Sequence, residues 1–383
     1  MPDTVFMKRA LALAEKSAGL ASPNPAVGCV VVKDRQIVGE GVHDYDKLDH
    51  AEVVALRNAG ENAGGATVFL TLEPCCHTGR TGPCTEALIA ADVSRVVIAT
   101  EDPNPKVAGK GVAQLQAAHI RVEVGLLGDH AQRLNDGYAR YITTGQPFVL
   151  LKCAVSLDGR IAPARGTLPQ GERFRVTGAA AHARVHAMRN RADAILTGIG
   201  TVLADDALLT DRSGLPRRRP LLRVVLDSHL RLPLDGKLAR SAKDNPVLLC
   251  YHHASPEKVD RLQGAGIELF KIESRGGLVS ASAVLRHLAK REITGVLVEA
   301  GAQLTTHVLS SGLADQVALF YAPIVLGANA IPLFVSRLPE PLRLKKISVE
   351  SVGTDTLVSG FLRDPWPLNL RATPTYNAAE PRA

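Results

Sequence analysis

Apolar residues at helical spacing open the chain: Met7, Leu11 and Ala14 fall on one face of a helix predicted over Met7 to Ser17. The Pro-Asn-Pro of residues 23–25 stops that helix. The apolar run Val27 to Val32 follows as a strand, and Lys33-Asp34 turns it into a second strand at Ile37 to Val38. The pattern then predicts a helix over His50 to Ala59, a strand over Thr67 to Thr71, a helix over Thr85 to Ala91 and a strand over Arg95 to Ala99. A helix–strand unit within Gly111 to Val124 adds an edge to the same sheet. Leu134 to Thr144 reads as a helix running into the turn Thr144-Gly145-Gln146-Pro147. Helices alternating with strands predict an α/β layered domain over residues 1–145.

A second alternation starts at Phe148. Its strands are predicted at Phe148 to Ala154, Ala194 to Leu196, Arg223 to Leu226, Val247 to Cys250, Ile267 to Phe270, Val296 to Val298 and Val317 to Tyr321. Helices lie between several of them, at Ala179 to Asn190 and Ala283 to Lys290, while Arg212 to Pro220 and Ser274 to Gly277 are loop-like in composition. This gives a second domain over 146–366. Residues 367–383 carry no periodicity and read as a loose tail.

Composition narrows the classes. With 383 residues, two cores are expected, since single cores stop growing beyond roughly 250–300 residues. A chain that is 46% hydrophobic and 22% charged is an ordinary globular one. No apolar run reaches the ~18 residues of a membrane span, and MPDTVFMKRALALAEK lacks a signal core, so a cytoplasmic address and no membrane partner are expected. The net charge of +7 suits anionic ligands, a phosphorylated small molecule or nucleic acid, and equally suits a merely basic surface. Only 4% of residues are aromatic, with one Trp, which argues against single-strand binding. Of six cysteines, Cys29, Cys153 and Cys250 sit singly in apolar runs and read as small buried hydrophobes. Cys75, Cys76 and Cys84 crowd into ten residues and need another explanation.

That explanation is a metal. His50-Ala51-Glu52, followed by Pro74-Cys75 and by Cys84, supplies one imidazole and two thiolates for a tetrahedral zinc with one open position. Zinc lowers the pKa of a water there to ~7, and a glutamate two residues after the histidine reaches that water without being a ligand. Such a Glu52 would carry the water's proton to a departing amine. His-x-Glu followed by Pro-Cys-x-x-Cys is the known signature of zinc nucleobase deaminases. Here eight residues, Cys76 to Pro83, separate the two cysteines instead of two. A fourth ligand from Cys76 or His77 would make the site a structural one instead.

The segments PNPAVGCVVVKD (23–34), HAE (50–52), TLEPCCHTGRTGPC (71–84) and DPNPKVAGKG (102–111) resemble the deaminase half of the bifunctional riboflavin-biosynthesis deaminase/reductase family. The resemblance implies a cytidine-deaminase-like three-layer domain and a ribosylamino-pyrimidine phosphate substrate. By position it places Asn24, His43, His77 and Arg80 around that substrate. Cys76 stands where the family commonly has Ser or Ala, and Asp49 where Pro usually precedes the HAE motif.

The second half lacks a full dinucleotide fingerprint. Gly198-Ile199-Gly200 keeps two glycines, and Val298-Glu299-Ala300-Gly301-Ala302-Gln303 reads as a strand ending at a helix start suited to phosphate, or as an ordinary junction. The order LKCAVSLDGRIA, TGIGTVLADDALLTDR, VVLDS and VEAGAQLTTHVL is similar to the reductase half of the same family. That implies a dihydrofolate-reductase-like domain using NADPH to reduce the ribosyl side chain. Cofactor contacts carried over by position are Ala154, Arg175, Thr201, Asp205, Ser228, Gly301, Ala302 and Gln303. Substrate contacts are Arg173, Arg189, Leu209, Arg212 and Glu299. Arg173 and Arg175 replace the Ser and Trp that the family usually shows after its SLDG segment. The family tends to dimers or tetramers, so a homo-oligomer is expected. Two other readings stay open: a deaminase of another heterocycle with a binding-only second domain, and a zinc-stabilised nucleic-acid binder.

Overall fold

A computed structural model of the chain describes residues 2–78, 82–164, 166–167, 174–273 and 276–367. Contacts divide it into two compact units. The first comprises Met1–Gly145, Pro216–Arg219 and the described end of the chain from Pro365; the second comprises Gln146–Leu215 and Pro220–Asp364.

The first unit is built on a five-stranded sheet, in the order Gln36–Val42, Gly28–Lys33, Thr67–Leu70, Arg95–Ile98 and Arg121–Val124. The first two pairings are antiparallel and the last two parallel. Alternation along the strands makes this a three-layer sandwich, because successive side chains point to opposite faces. Cys29 and Val31, with Val68, Leu70, Val96 and Ile98, pack with Ala55 and Leu88 on one face. Val30, Val32, Phe69 and Val97 pack with Met7, Ala10 and Leu11 on the other. Helix Ala51–Ala59 lies very close to strand Gln36–Val42, since a Cβ on Gly41 would meet the Ala51 carbonyl oxygen at 2.0 Å. That close approach sets the first turn of the helix, and so Glu52, against the sheet. Cys29, Cys153 and Cys250 are all buried, as small hydrophobes should be.

Trp366 reports where the described end of the chain goes. Its indole is buried in the first unit's core and donates from Nε1 to Asp136 Oδ1 at 2.9 Å. The sequence pattern had placed residue 366, and with it Pro216–Arg219, in the second domain. Apolar periodicity carries no information about a lone Trp after a strand, nor about a loop of arginines. Residues 368–383 of the expected tail lie outside the described residues.

The second unit holds a nine-stranded sheet in the order Glu268–Lys271, Val247–Tyr251, Leu222–Leu226, Ala194–Gly198, Gly295–Glu299, Phe148–Ser156, Gln316–Ala322, Asp355–Phe361 and Lys345–Val352. The first seven are mutually parallel and correspond to the seven predicted strands. The last two form an antiparallel hairpin that the sequence reading did not predict. The chain leaves Phe148–Ser156, passes over one position to Ala194–Gly198, and later returns to fill the gap with Gly295–Glu299. Outside the carboxyl ends of strands at such a reversal lies the crevice where open α/β sheets bind ligands. Helices Ile199–Asp205 and Ala302–Ser310 start there, straight after Ala194–Gly198 and just beyond Gly295–Glu299.

Candidate active sites

His50 occupies the N-cap of helix Ala51–Ala59, so its neighbour Glu52 falls in the first helical turn, only 3% exposed. Cys84 is the first residue of helix Cys84–Ala90, and Cys75 lies in the loop after strand Thr67–Leu70. The fold brings all three together: His50 Nδ1 is 3.1 Å from Cys84 Sγ and 3.5 Å from Cys75 Sγ, and the three donor atoms lie within 4.8 Å of one another. A tetrahedral ion with Zn–N and Zn–S bonds of ~2.0–2.3 Å separates its ligands by roughly 3.5–3.8 Å, so this N,S,S set fits zinc. Among the described residues no fourth His, Cys, Asp or Glu joins the group, and His77 is exposed. The structural-site alternative therefore gains no ligand from Cys76 or His77.

The electrostatics match a thiolate site. The Cys84 thiol and main-chain N–H both point at Cys75 Sγ, the latter at 3.4 Å, and with His50 they hold the Cys75 thiol well below the usual thiol range. The Cys84 thiol, which shares a proton with Cys75, is pushed up in turn. Burial pushes the Glu52 carboxyl up to about 7.

Two of the four expected substrate residues close one side of this group. Asn24 Nδ2 meets His43 Nε2 at 3.0 Å, His43 Nδ1 lies 3.1 Å from the Asp49 carbonyl oxygen, and the His43 ring stands edge-on to His50 at 5.2 Å. Arg80 lies outside the described residues. Sequence reasoning missed Glu73. Its buried carboxylate accepts from the backbone N–H groups of Asp102, Gly109 and Val112 at 3.0–3.1 Å, tying residues 102–112 to the strand end that carries Cys75. An acid two residues before a ligand was the available signal. Asp102, pushed up to about 7 by burial, accepts in turn from Asn104 N and from the Tyr138 hydroxyl.

In the second unit, Arg189 and Glu299 form a bidentate pair at 2.7 and 3.0 Å, both side chains largely buried, and Arg189 also donates to the Thr210 carbonyl at 2.8 Å. Arg189 is therefore not a solvated helical residue, and its guanidinium is taken up in holding Glu299 and the Thr210 loop. Burial would raise the Glu299 carboxyl, but Lys152 and Arg189 outweigh it and hold the group below its usual range. Leu209, next in the loop, is buried with a left-handed φ of +56°. The Arg212 main-chain N–H donates to His186 Nδ1 at 3.2 Å, while its side chain is exposed.

The expected cofactor residues divide. Thr201 Oγ1 accepts from Gly301 N at 3.1 Å, and Gly301 caps the helix begun by Ala302 and the exposed Gln303, so these four meet where two helices start. Asp205 ends helix Ile199–Asp205, and Ala154 pairs with Phe320 in the sheet. Ser228 follows strand Leu222–Leu226, where its hydroxyl accepts from Val279 N. Arg175 is exposed, and Arg173 lies outside the described residues. Sequence reasoning also missed Lys152, 3.9 Å from Glu299, and His182 and His186, whose pKa values burial lowers. The signals were a lysine inside the apolar strand FVLLKCAVS and the i, i+4, i+7 spacing of His182, His186 and Arg189 on one helix face.

Comparison with known proteins decides the family. Residues 1–100 match the model of the cytidine and deoxycytidylate deaminase zinc-binding region, and residues 147–358 match that of the RibD C-terminal domain. The riboflavin biosynthesis protein RibD of Escherichia coli is 39% identical over 93% of this chain and 98% of its own length. That of Haemophilus influenzae is 42% identical over 86% and 88%. The chain belongs to the RibD family. Solved RibD structures superpose over both halves. Acinetobacter baumannii RibD, at 39% identity, matches with a TM-score of 0.78 over 94% of this chain and 98% of its own. A diaminohydroxyphosphoribosylaminopyrimidine deaminase/5-amino-6-(5-phosphoribosylamino)uracil reductase from Thermotoga maritima, at 34% identity, gives the same score and the same coverage. The first half is thus a cytidine-deaminase-like zinc-binding deaminase domain, and the second a dihydrofolate-reductase-like RibD reductase domain. The enzyme is a bifunctional deaminase/reductase of riboflavin biosynthesis.

Proposed function

We propose that the first domain hydrolytically deaminates 2,5-diamino-6-ribosylamino-4(3H)-pyrimidinone 5′-phosphate. The second then reduces the ribosyl side chain to give 5-amino-6-(5-phosphoribitylamino)uracil. The observation that carries the reading is the convergence of His50, Cys75 and Cys84 beside the buried Glu52, in a chain matched over both halves to RibD relatives. Zinc held by those three side chains supplies the Lewis acidity that makes water a competent nucleophile near neutral pH. Glu52 takes the attacking water's proton and passes it to the amine that leaves as ammonia. Asn24 and His43 orient the pyrimidine, and His77 and Arg80 hold its phosphate-bearing arm.

In the second domain NADPH would supply the hydride, and Ala154, Arg175, Thr201, Asp205, Ser228 and Gly301 to Gln303 would hold it. Glu299, kept ionised by Arg189 and Lys152, accepts hydrogen bonds from sugar hydroxyls. Arg212 and Arg173 meet the phosphate, and Leu209 closes the apolar side. The same proposal includes a cytoplasmic address and a homo-oligomer. No described helix is long and apolar enough to cross a membrane. The edge strand Lys345–Val352, with Ile347 and Val349 61% and 66% exposed, offers a second copy an unpaired sheet edge; light scattering measures the assembly.

The test is one assay on zinc-loaded protein with the diaminopyrimidinone ribosyl phosphate, following ammonia release and NADPH oxidation together. Both proceed if the reading is right. Ammonia without NADPH oxidation would leave the deaminase alone standing, and point to the changed Arg173–Arg175 segment.

A further inference from the structure

The run Pro216-Arg217-Arg218-Arg219-Pro220 lies in the stretch Arg212 to Pro220 that is loop-like in composition. The structure assigns it other work. Residues Pro216–Arg219 pack as part of the first unit, although their sequence neighbours on both sides belong to the second. The Arg218 main-chain N–H donates to the Gly19 carbonyl at 2.8 Å. Its guanidinium donates through Nη1 to the Ser22 carbonyl at 3.0 Å and through Nε to Asp46 Oδ1 at 2.7 Å, and lies 3.8 Å from the centre of the Tyr45 ring. Arg219 adds a bond from Nη2 to Ser22 Oγ at 3.0 Å.

Apart from Gly19, in the last turn of helix Asp3–Ala21, those partners fall on the two segments that carry Asn24 and His43. Ser22 ends the loop's helical approach two residues before Asn24, and Tyr45 and Asp46 lie between His43 and His50. The loops touch each other through Asn24 and His43, and His43 is steadied by the Asp49 carbonyl next to His50. One planar guanidinium therefore grips both loops. A fork that bonds in two directions while its face stacks on an aromatic ring is a task for arginine, and lysine cannot do all of it.

We propose that Arg218 is a positioning residue for the deaminase, holding the loops of Asn24 and His43 in the geometry that receives the pyrimidine. The inference rests on the functional reading above. Pre-ordering two binding loops removes an entropic cost from substrate binding and leaves the chemistry at Glu52 unchanged.

The test compares wild type with Arg218→Ala, Arg218→Lys and Asp46→Asn by steady-state ammonia release, zinc content and amide hydrogen exchange. Arg218→Ala should raise KM about tenfold with kcat within about twofold, the signature of lost uniform binding. Zinc content should hold, and exchange should quicken at residues 19–24 and 44–49. Arg218→Lys should restore part of the KM, and Asp46→Asn, which spares the Ser22 bond and the Tyr45 stack, should raise KM about threefold. An unchanged KM overturns the proposal, and so does a fall in kcat that tracks zinc loss, because either leaves Arg218 a structural residue only. Should wild type release no ammonia, the functional reading fails, and exchange decides alone: faster exchange in both loops of Arg218→Ala upholds the positioning role, and unchanged exchange ends it.

Discussion

The two active sites are built on different principles. In the deaminase domain, His50 and Cys84 lie 34 positions apart, at the starts of two helices, and their donor atoms already stand at ligand spacing. In the reductase domain the pair that anchors the cleft, Arg189 and Glu299, spans 110 positions and joins a helix to a central strand. The first site is assembled around a small cluster that local motifs encode. The second is a surface laid across strand ends, where each residue is placed by the sheet order. A compact donor set can be recognised from spacing, whereas a cofactor surface can be recognised only with the fold in hand.

The largest effect is expected from Glu52→Gln. It should lower ammonia release by at least ~10²-fold while zinc stays bound and NADPH oxidation of the deaminated intermediate continues. Zinc content and the two activities, measured side by side, check it; unchanged ammonia release would remove Glu52 from its role.

Next in size is Glu299→Gln, which leaves Arg189 and Lys152 without their anion. Breaking a largely buried pair costs about 3 kcal/mol, so the reductase domain should melt earlier and NADPH oxidation should fall, with ammonia release untouched. Calorimetry with both assays separates these effects.

Trp366→Phe should be milder and act on the other side of the comparison. It strips the Asp136 carboxylate of its indole partner and should cost the first unit about 1–2 kcal/mol, seen as an earlier thermal transition with the reductase domain unaffected.

The smallest effect is a pH dependence confined to the second domain. Burial, the largest cause, lowers the pKa values of His182 and His186, with Arg175 and Arg189 respectively the next contributors. A base depressed in the folded state contributes stability above its unfolded pKa and loses it as pH falls through the folded one. The melting temperature should therefore drop below the ordinary histidine range, and less so in His182→Asn/His186→Asn.

Much of the fold was legible in the sequence. The seven parallel strands of the reductase sheet contain apolar runs, largely buried in the six inner strands and half-buried in the edge strand Glu268–Lys271. The hairpin Lys345–Val352 with Asp355–Phe361 was not legible, because its outer strand is exposed on both faces and has no buried side to impose a pattern. In the first candidate site the grouping of His50, Cys75 and Cys84 near Glu52 was legible because metal chemistry restricts residue type and spacing together. Glu73 and Lys152 left only weak marks, an acid two residues before a ligand and a lysine inside an apolar strand, and Arg218 left none. Each acts through a contact made by tertiary packing, and a lone acid or base in a sequence looks the same whether it is solvated or bonded.

The two sites differ most in metal dependence, which the donor set His50, Cys75 and Cys84 gives to the first. The direct measurement is to strip the protein with a chelator, verify its fold by circular dichroism, and assay each half with its own substrate. The stripped protein should release no ammonia from the diamino compound, oxidise NADPH on the deaminated intermediate within about twofold of the untreated rate, and regain ammonia release on adding zinc. Loss of both activities in a still-folded protein, or ammonia release that survives stripping, would contradict that difference in metal dependence.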